Sequence, residues 1–170
     1  MPPSRQSPER LNMDILTPAG QKTVEDELNA ICIWHKHHPG FVYCHTPKDR
    51  ECPVDGVLTK NQSIKGVIET KCRYDMTLSK FFEERDGLWL VTFEKIINAR
   101  HIALSLGVPL IGFLYLVQDK ILLCKKITDA YGKFVINMEI QNTFTQTTVN
   151  GGTIKRSNAY LDMKDCKQYK

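Results

Sequence analysis

Three short apolar runs follow one another between residues 41 and 72, and each is bounded by turn-forming residues. This pattern predicts strands at FVYCH (41–45), CPVDGVL (52–58) and IKGVIETKC (64–72), with turns at TPKDRE and TKNQS. Strands so close in sequence pair as antiparallel neighbours. The chain is therefore expected to fold around a sheet that has the third strand in its interior.

A helical pattern precedes the three strands. Thr17-Pro18 has the sequence of an N-cap followed by a first helical residue, and Pro39-Gly40 marks the end. Apolar positions recur at helical spacing and predict a buried face along Val24, Leu28 and Ile31. In this prediction Glu25 and Glu27 flank the buried face, and Asp26 points away from it.

A second helical region is expected from residue 77 to residue 106, with a break at Asp86-Gly87. Its second part is predicted to face a core through Leu90, Phe93, Ile97 and Leu104. Two further strands are expected at LIGFLYLV (110–117) and ILLCKKI (121–127). The helix is long enough to cross over the sheet, so the strands at 64–72 and 110–117 are predicted to be parallel neighbours.

The apolar run from residue 102 to residue 117 is the only stretch that resembles a membrane span. It is shorter than the roughly 18–20 residues that a span requires, and Gly107-Val108-Pro109 divides it. The first residues, MPPSRQSPER, are polar and carry no apolar signal segment. We therefore expect no membrane association and an intracellular, cytoplasmic location.

The composition and the net charge exclude few classes of function. The 170 residues predict one domain, and the net charge of +4 permits binding to a polyanion without demanding it. None of the six cysteines forms a C-x-x-C pair, which disfavours a zinc ribbon or an iron–sulfur cluster. The histidines of HKHHPG (35–40) are interpreted as a solvated helix end, where cations suit the helix dipole.

The C-terminal part has a different pattern. KFVINMEI (133–140) alternates apolar and polar residues, and Asn150-Gly151-Gly152 between two polar strands predicts a hairpin. The predicted organisation is a flexible basic arm at 1–14, a core at 15–130, and a β extension of the same domain at 131–170.

Charged residues inside the predicted strands suggest a chemistry. Glu69 and Lys71 share one face of the third strand, and Asp55 lies on the strand before it. Two neighbouring carboxylates repel each other, a divalent ion relieves the repulsion, and oxygen ligands select Mg²⁺ or Mn²⁺. A lysine beside the ion suits phosphodiester hydrolysis. The alternative is an exposed cross-strand charge pair without function.

The motif PVDGVL…GVIETK (53–58 and 66–71) is similar to the signature of the PD-(D/E)XK nuclease superfamily. The signature has an Asp at the second core strand and Glu-x-Lys on the third. The predicted order of helix, three strands, helix and strand also resembles its core, and the layout is closest to small Holliday-junction-resolvase-like and phage-type nucleases. Val54 separates the Pro from Asp55, and the tail from about residue 133 lies outside the resemblance.

This resemblance implies an α/β, restriction-endonuclease-like fold with a mixed central sheet flanked by helices. It implies that Asp55, Glu69 and the Thr70 backbone carbonyl ligate Mg²⁺, with Mn²⁺ as a substitute, and that Lys71 orients or activates the attacking water. A glutamate of the first helix would assist through a water or a second ion. Glu25 best matches the family order, and Glu27 is the alternative.

The implied reaction is hydrolysis of DNA that leaves 5′-phosphate ends, with branched recombination or repair intermediates as one expected substrate. Whether cutting is internal or from an end stays open. Lys95, with Asn98 and His101 as alternatives, is expected to approach the site, and Lys155 and Arg156 to contact DNA. A homodimer is expected if junctions are cut, because resolution needs two sites. The rival hypotheses are a catalytically silent nucleic-acid-binding module on the same fold and an interaction protein with an accidental motif.

Overall fold

The computed structural model describes residues 17–48, 50, 52–146 and 153–170. The predicted arm at 1–14 and the predicted turn at 150–152 lie outside this part of the chain. The described residues form three helices, namely α1 (Pro18–His37), α2 (Leu78–Glu83) and α3 (Phe93–Ser105). They also form nine strands, namely β1 (Val42–His45), β2 (Gly56–Lys60), β3 (Ser63–Arg73), β4 (Leu88–Thr92), β5 (Leu110–Leu116), β6 (Ile121–Lys126), β7 (Met138–Gln146), β8 (Thr153–Asp162) and β9 (Lys167–Tyr169).

The strands form two sheets in an α/β architecture. A mixed six-stranded sheet has the order β1-β2-β3-β5-β6-β9, and a three-stranded antiparallel sheet has the order β4-β8-β7. The predicted antiparallel meander β1-β2-β3 is confirmed, and so is the parallel pairing of β3 with β5. Strand β3 lies in the interior of the six-stranded sheet, as expected.

The six-stranded sheet has a core on each face. On one face α1 packs with Ala30 and Trp34 against Ile68 of β3 and Phe113 of β5. On the other face α3 and the three-stranded sheet cover the remaining apolar side chains, among them Val67, Ile96, Leu114, Trp89 and Leu161. Alternate residues of β3 therefore enter different cores, as the two-residue period of a strand requires.

Helix α1 begins and ends where the sequence predicts. The Thr17 hydroxyl accepts a hydrogen bond from the Gly20 N–H at 3.0 Å, which caps the first turn. The predicted buried face is confirmed only in part, because Ile31 is buried and Val24 is partly buried, but the other expectations fail. Asp26 is buried and Leu28 is 45 % exposed. The helix is rotated so that Ala30, Ile33 and Trp34 contact the sheet, because the aromatic ring and its neighbours bury more apolar surface than Leu28 would.

Strand β2 begins later than predicted. Its first residue is Gly56, so Asp55 lies in a bend immediately before the strand and not within it. The Thr46 side chain stabilises this bend by donating to the carbonyls of Val54 and Asp55, at 2.7 and 3.0 Å. The bend directs the Asp55 carboxylate towards the end of β3.

The second helical region contains a strand that the sequence analysis missed. Residues 88–92 were predicted as helix with Leu90 towards a core, but they form β4, which pairs with β8 about 70 residues later along the chain. The predicted break at 86–87 is confirmed, because Asp86 and Gly87 both have positive φ. The buried side of α3 consists of Ile96, Ala99 and Ala103, whereas Leu104 is 42 % exposed, contrary to prediction.

The Gly107 turn ends α3 as predicted. Gly107 has φ 64°, and the Val108 N–H donates to the Ala103 carbonyl at 3.0 Å, which closes the last turn. The apolar residues that follow form β5 and not a membrane span. No helix within the described ranges has the length and the apolar character needed to cross a membrane.

The C-terminal region completes both sheets. Strands β7 and β8 pair in the predicted antiparallel manner, and β9 joins the edge of the six-stranded sheet beside β6. The predicted alternation at 133–140 holds for Phe134, Ile136 and Met138, which are at least partly buried, and ends at Ile140, which is 52 % exposed. The C-terminal region therefore pairs with strands from the rest of the chain, since β8 also pairs with β4.

Candidate active site

The Asp55 carboxylate lies beside the backbone of β3. Its Oδ2 accepts a hydrogen bond from the Thr70 N–H at 2.7 Å. The Asp55 N–H donates to the Ile68 carbonyl at 3.1 Å, so both its backbone and its side chain are held against the strand. The structure therefore brings together the acid of the bend and the Glu69–Thr70–Lys71 segment that the sequence analysis singled out.

The Glu69 carboxyl group is almost completely buried. Glu69 is 1 % exposed, and no described residue hydrogen-bonds to its Oε2. Burial, together with the negative charge of Asp55, raises the pKa of Glu69 to about 8. A buried carboxyl group with one unsatisfied oxygen is costly for a fold, and it marks the position as one to which a cation or a proton would bind.

Lys95 of α3 bridges the two acids. Its ammonium lies 2.6 Å from Glu69 Oε1 and 3.7 Å from Asp55 Oδ2. Desolvation alone would lower the pKa of Lys95, but the charges of Glu69 and Asp55 outweigh it and the pKa is raised. Lys95 was predicted to approach the site from the helix, whereas the alternatives Asn98 and His101 are exposed.

Lys71 extends from the same strand face as Glu69 towards an open cavity. Desolvation of its ammonium and the nearby cations Arg73 and Lys95 lower the pKa of Lys71. The cavity has a volume of about 280 Å³. Its charged and polar lining residues are Glu69, Lys71, Arg73, Thr92, Lys95, Arg156 and Asn158. Four of these seven are cationic, so the cavity suits an anion such as a phosphate group.

The first helix contributes Glu27 and not Glu25. Glu27 Oε2 lies 2.8 Å from the Lys48 ammonium, which in turn lies 3.8 Å from Asp55 Oδ1. Desolvation raises the pKa of Glu27, and the negative charge of Asp55 adds to this, while the hydrogen bond from Lys48 opposes it. Glu25 is exposed, because the helix is rotated relative to the predicted face. Of the two alternatives, only Glu27 belongs to this group of charged residues. We call the group the acid–lysine cluster, and its members are Asp55, Glu69, Lys95, Lys48 and Glu27.

Of the two residues on β8 that were predicted to contact DNA, Arg156 lines the cavity and Lys155 does not. Arg156 lines the cavity, together with the buried Asn158 two residues further along the same face. Lys155 lies opposite Phe144 in the register of β7 and β8 and does not line this cavity. Adjacent strand residues point to opposite faces, which explains why one basic residue lines the cavity and its neighbour does not.

The residues that the sequence analysis missed come from other segments. Lys48 lies in the loop after β1, and Arg73 ends β3, where the two-residue period from Glu69 and Lys71 would have included it. Asn158 lies far along the chain and carries no local signal. The histidines at 35–38 do not converge on a metal: His35 contacts the Phe41 carbonyl, His37 the Lys170 carbonyl, and His38 the Tyr169 hydroxyl.

Metal-binding chemistry at the acid–lysine cluster rests on few ligands. Across the described ranges, no three His, Cys, Asp or Glu side chains are grouped as they would be to hold a metal ion. The carboxylates of Asp55 and Glu69 nevertheless both contact the Lys95 ammonium and so lie close together, and Glu69 Oε2 lacks a hydrogen-bond partner among the described residues. Oxygen ligands of this kind fit Mg²⁺ or Mn²⁺, which keep several waters and need only one or two carboxylates.

Comparison of the sequence with protein-family models finds no matching family, and comparison with curated proteins finds no match either.

Proposed function

We propose that this chain is a Mg²⁺-dependent nuclease of the PD-(D/E)XK type that hydrolyses phosphodiester bonds in DNA. The observation that carries the proposal is the buried Glu69 carboxyl group, with its unsatisfied Oε2, beside Asp55 and at the base of a cationic cavity. The order of α1, the β1-β2-β3 meander, α3 and parallel β5 supports a restriction-endonuclease-like core.

Asp55, Glu69 and the Thr70 carbonyl would hold the metal ion. A bound Mg²⁺ would supply positive charge that lowers the pKa of a nearby water and stabilises negative charge on a phosphoryl oxygen. Binding requires Glu69 to be ionised, and its raised pKa makes occupancy by the ion dependent on pH. It also requires the Lys95 ammonium to give up its position between the carboxylates.

The lysines would act on the substrate and the water. Lys71, whose pKa is lowered, is suited to orient the attacking water and to take up or share its proton. Lys95 has a long flexible side chain and would move from the carboxylates to the negative charge that develops on the phosphate. Glu27, held by Lys48, would position water beside Asp55. The products would carry 5′-phosphate and 3′-hydroxyl ends.

DNA is proposed as the substrate because of the charge of the cavity. Arg73 and Arg156 enter from two different strands, and arginine binds phosphate oxygens through two parallel hydrogen bonds. These contacts would position the backbone of the nucleic acid and carry no base preference. A homodimer, proposed for action on branched DNA, would present two such cavities.

The test is cleavage of circular plasmid, linear duplex and four-way branched DNA in the presence of Mg²⁺ or EDTA. Wild-type protein is expected to cut in Mg²⁺ and not in EDTA. The variants Asp55→Ala and Lys71→Ala are each expected to cut at least about 100-fold more slowly. Lys80→Ala is the control, because Lys80 is exposed on α2 and does not line this cavity. Cutting of the closed circle identifies endonuclease activity, and mass in solution establishes the oligomeric state.

Absence of cleavage on all three substrates, or equal cleavage by wild type and both variants, would contradict the proposal.

One observation favours a second function, a catalytically silent nucleic-acid-binding module. The Lys95 ammonium already bridges both acids, and so reduces their repulsion without a metal. Tight DNA binding that is unaffected by Mg²⁺ and by Asp55→Ala, without cleavage, would favour this alternative.

A further inference from the structure

A second cavity lies on the α1 side of the six-stranded sheet, at the end opposite the acid–lysine cluster. Its volume is about 530 Å³, which is within the range of small-molecule sites. It is lined by Lys60 at the end of β2, Lys65 near the start of β3 and Ile111 near the start of β5. The acid–lysine cluster instead lies where β2 begins and β3 ends. The two cavities are therefore separate sites.

The floor of this second cavity is aromatic and rigid. Trp34 is 5 % exposed, stacks on His38 with ring centroids 4.4 Å apart, and meets Phe41 edge-on at 5.4 Å. Tyr169 hydrogen-bonds to His38 at 3.1 Å and closes one side. Burial, with the nearby Lys167 charge, lowers the pKa of His38. Trp34 is covered by His38, so the rings that are partly open to the cavity and on which another ring can stack are those of Phe41 and Tyr169.

The rim of the cavity has five lysines and one aspartate, so it carries an excess of positive charge. Lys125 contacts Asp165 and donates to the Asp162 carbonyl at 2.6 Å, so its charge is already partnered. The other rim lysines form no salt bridge with any residue in the described ranges, and they are Lys60, Lys65, Lys126 and Lys167. The Lys60 ammonium already lies 5.1 Å from the centroid of the Phe41 ring. A cluster of lysines of which three form no such contact in the described ranges, beside an apolar floor, favours a ligand that joins a flat apolar group to more than one negative charge.

We propose that this cavity binds a nucleotide, with the base against the aromatic floor and the phosphate among the rim lysines. A phosphate ester carries up to two negative charges at neutral pH, which suits several lysines better than the single charge of a carboxylate does. The aromatic floor suits a base, because every base has a flat face that stacks on such rings. The inference does not depend on the nuclease proposal, since no residue of the acid–lysine cluster lines this cavity.

The test is titration of the full chain with adenosine, cytidine, guanosine and uridine 5′-monophosphates, followed by tryptophan fluorescence and calorimetry. Trp34 lines the cavity and reports binding, whereas Trp89 lies 1 % exposed in the other core. At least one nucleotide is expected to quench the fluorescence saturably and to bind at least about tenfold more tightly than ribose 5-phosphate or its nucleoside. Asp55→Ala should bind it with the same Kd as wild type.

Charge reversal in the rim provides the second arm. The double variant Lys126→Glu with Lys167→Glu is expected to weaken binding at least about tenfold. Lys120→Glu is the control, because Lys120 is exposed in the β5–β6 turn at the far end of the sheet. The inference is overturned if no nucleotide gives saturable quenching, if ribose 5-phosphate or the nucleoside binds as tightly, or if the double variant keeps the wild-type Kd. Loss of binding in Asp55→Ala would also overturn it, because the nucleotide would then occupy the acid–lysine cluster.

Discussion

The Lys95 ammonium lies 2.6 Å from Glu69 Oε1 and 3.7 Å from Asp55 Oδ2, so one lysine of α3 bridges an acid of β3 and an acid of the bend before β2. The bridge connects α3 to β3 by charge in addition to apolar contact. It also means that a divalent ion and a lysine compete for the same pair of carboxylates. This competition links the stability of the protein to its proposed chemistry.

Replacing Lys95 with methionine tests this competition directly. Lys95→Met keeps the length of the side chain and removes the charge, so the metal-free protein should lose about 1–3 kcal/mol of unfolding free energy, between the values for exposed and buried ion pairs. Mg²⁺ or Mn²⁺ should restore part of this loss in a denaturant titration. Lys133→Met is the control on an exposed loop. Equal midpoints for both variants would show that the bridge contributes nothing.

The raised pKa of Glu69 predicts how stability depends on pH without metal. The pKa of a glutamate in an unfolded chain is about 4.3, whereas burial raises the pKa of Glu69 in the folded protein to about 8. The folded protein holds the proton more tightly, so this stabilisation is complete below the unfolded pKa and is lost as the pH rises through about 8. Denaturant unfolding in EDTA should show wild type losing up to about 1.4 kcal/mol per pH unit relative to Glu69→Gln. Parallel curves for the two proteins would contradict the prediction.

The two glutamates of α1 provide a matched pair. Glu27→Gln should lower Mg²⁺-dependent cleavage at least about tenfold, because Glu27 lies in the ion-pair chain that reaches Asp55 through Lys48. Glu25→Gln should leave the rate unchanged, because Glu25 is exposed outside the cluster. Initial rates on the best substrate decide between them, and the opposite ranking would restore the order expected from the family resemblance.

Adjacent basic residues of β8 test the proposed DNA path. Arg156→Ala should weaken DNA binding and reduce the slope of log affinity against log salt by about 1, because the side chain lines the cationic cavity. Lys155→Ala should change both quantities less, since it lies on the other face of the strand. Fluorescence anisotropy in Ca²⁺ at several salt concentrations measures both. Equal effects would place the DNA along the ribbon and not in the cavity.

A close contact in β5 predicts a packing defect. A Cβ atom at Gly112 would lie 2.5 Å from Trp89 Cζ3 and 3.1 Å from Ile127 Cδ1. Gly112→Ala should therefore force β4 away from the six-stranded sheet and lower the unfolding free energy by about 1–3 kcal/mol. Gly40→Ala meets only the flexible end of Lys60 at 3.5 Å and should be nearly neutral. A thermal denaturation midpoint for each variant measures the difference.

Local sequence patterns predict much of the fold and part of the site. The two-residue period of β3 is enough to place Glu69 and Lys71 on one face, and the turn residues define the meander. The pairing of β4 with β8 depends on residues about 70 positions apart, and no local pattern in residues 88–92 identifies their partner. The choice between Glu25 and Glu27 depends on the rotation of α1, which advances about 100° per residue and is determined by how Trp34 packs.

The path of β8 has a consequence for protein synthesis. Asp55, Glu69 and Lys71 are synthesised before the cavity wall formed by Arg156 and Asn158, which lies on β8, about 85 residues after β3. Strand β4 likewise has to wait for β8 before it acquires a neighbour in its sheet. A growing chain therefore carries the acids before it has the cavity wall, and the site is completed only after β8 has been synthesised.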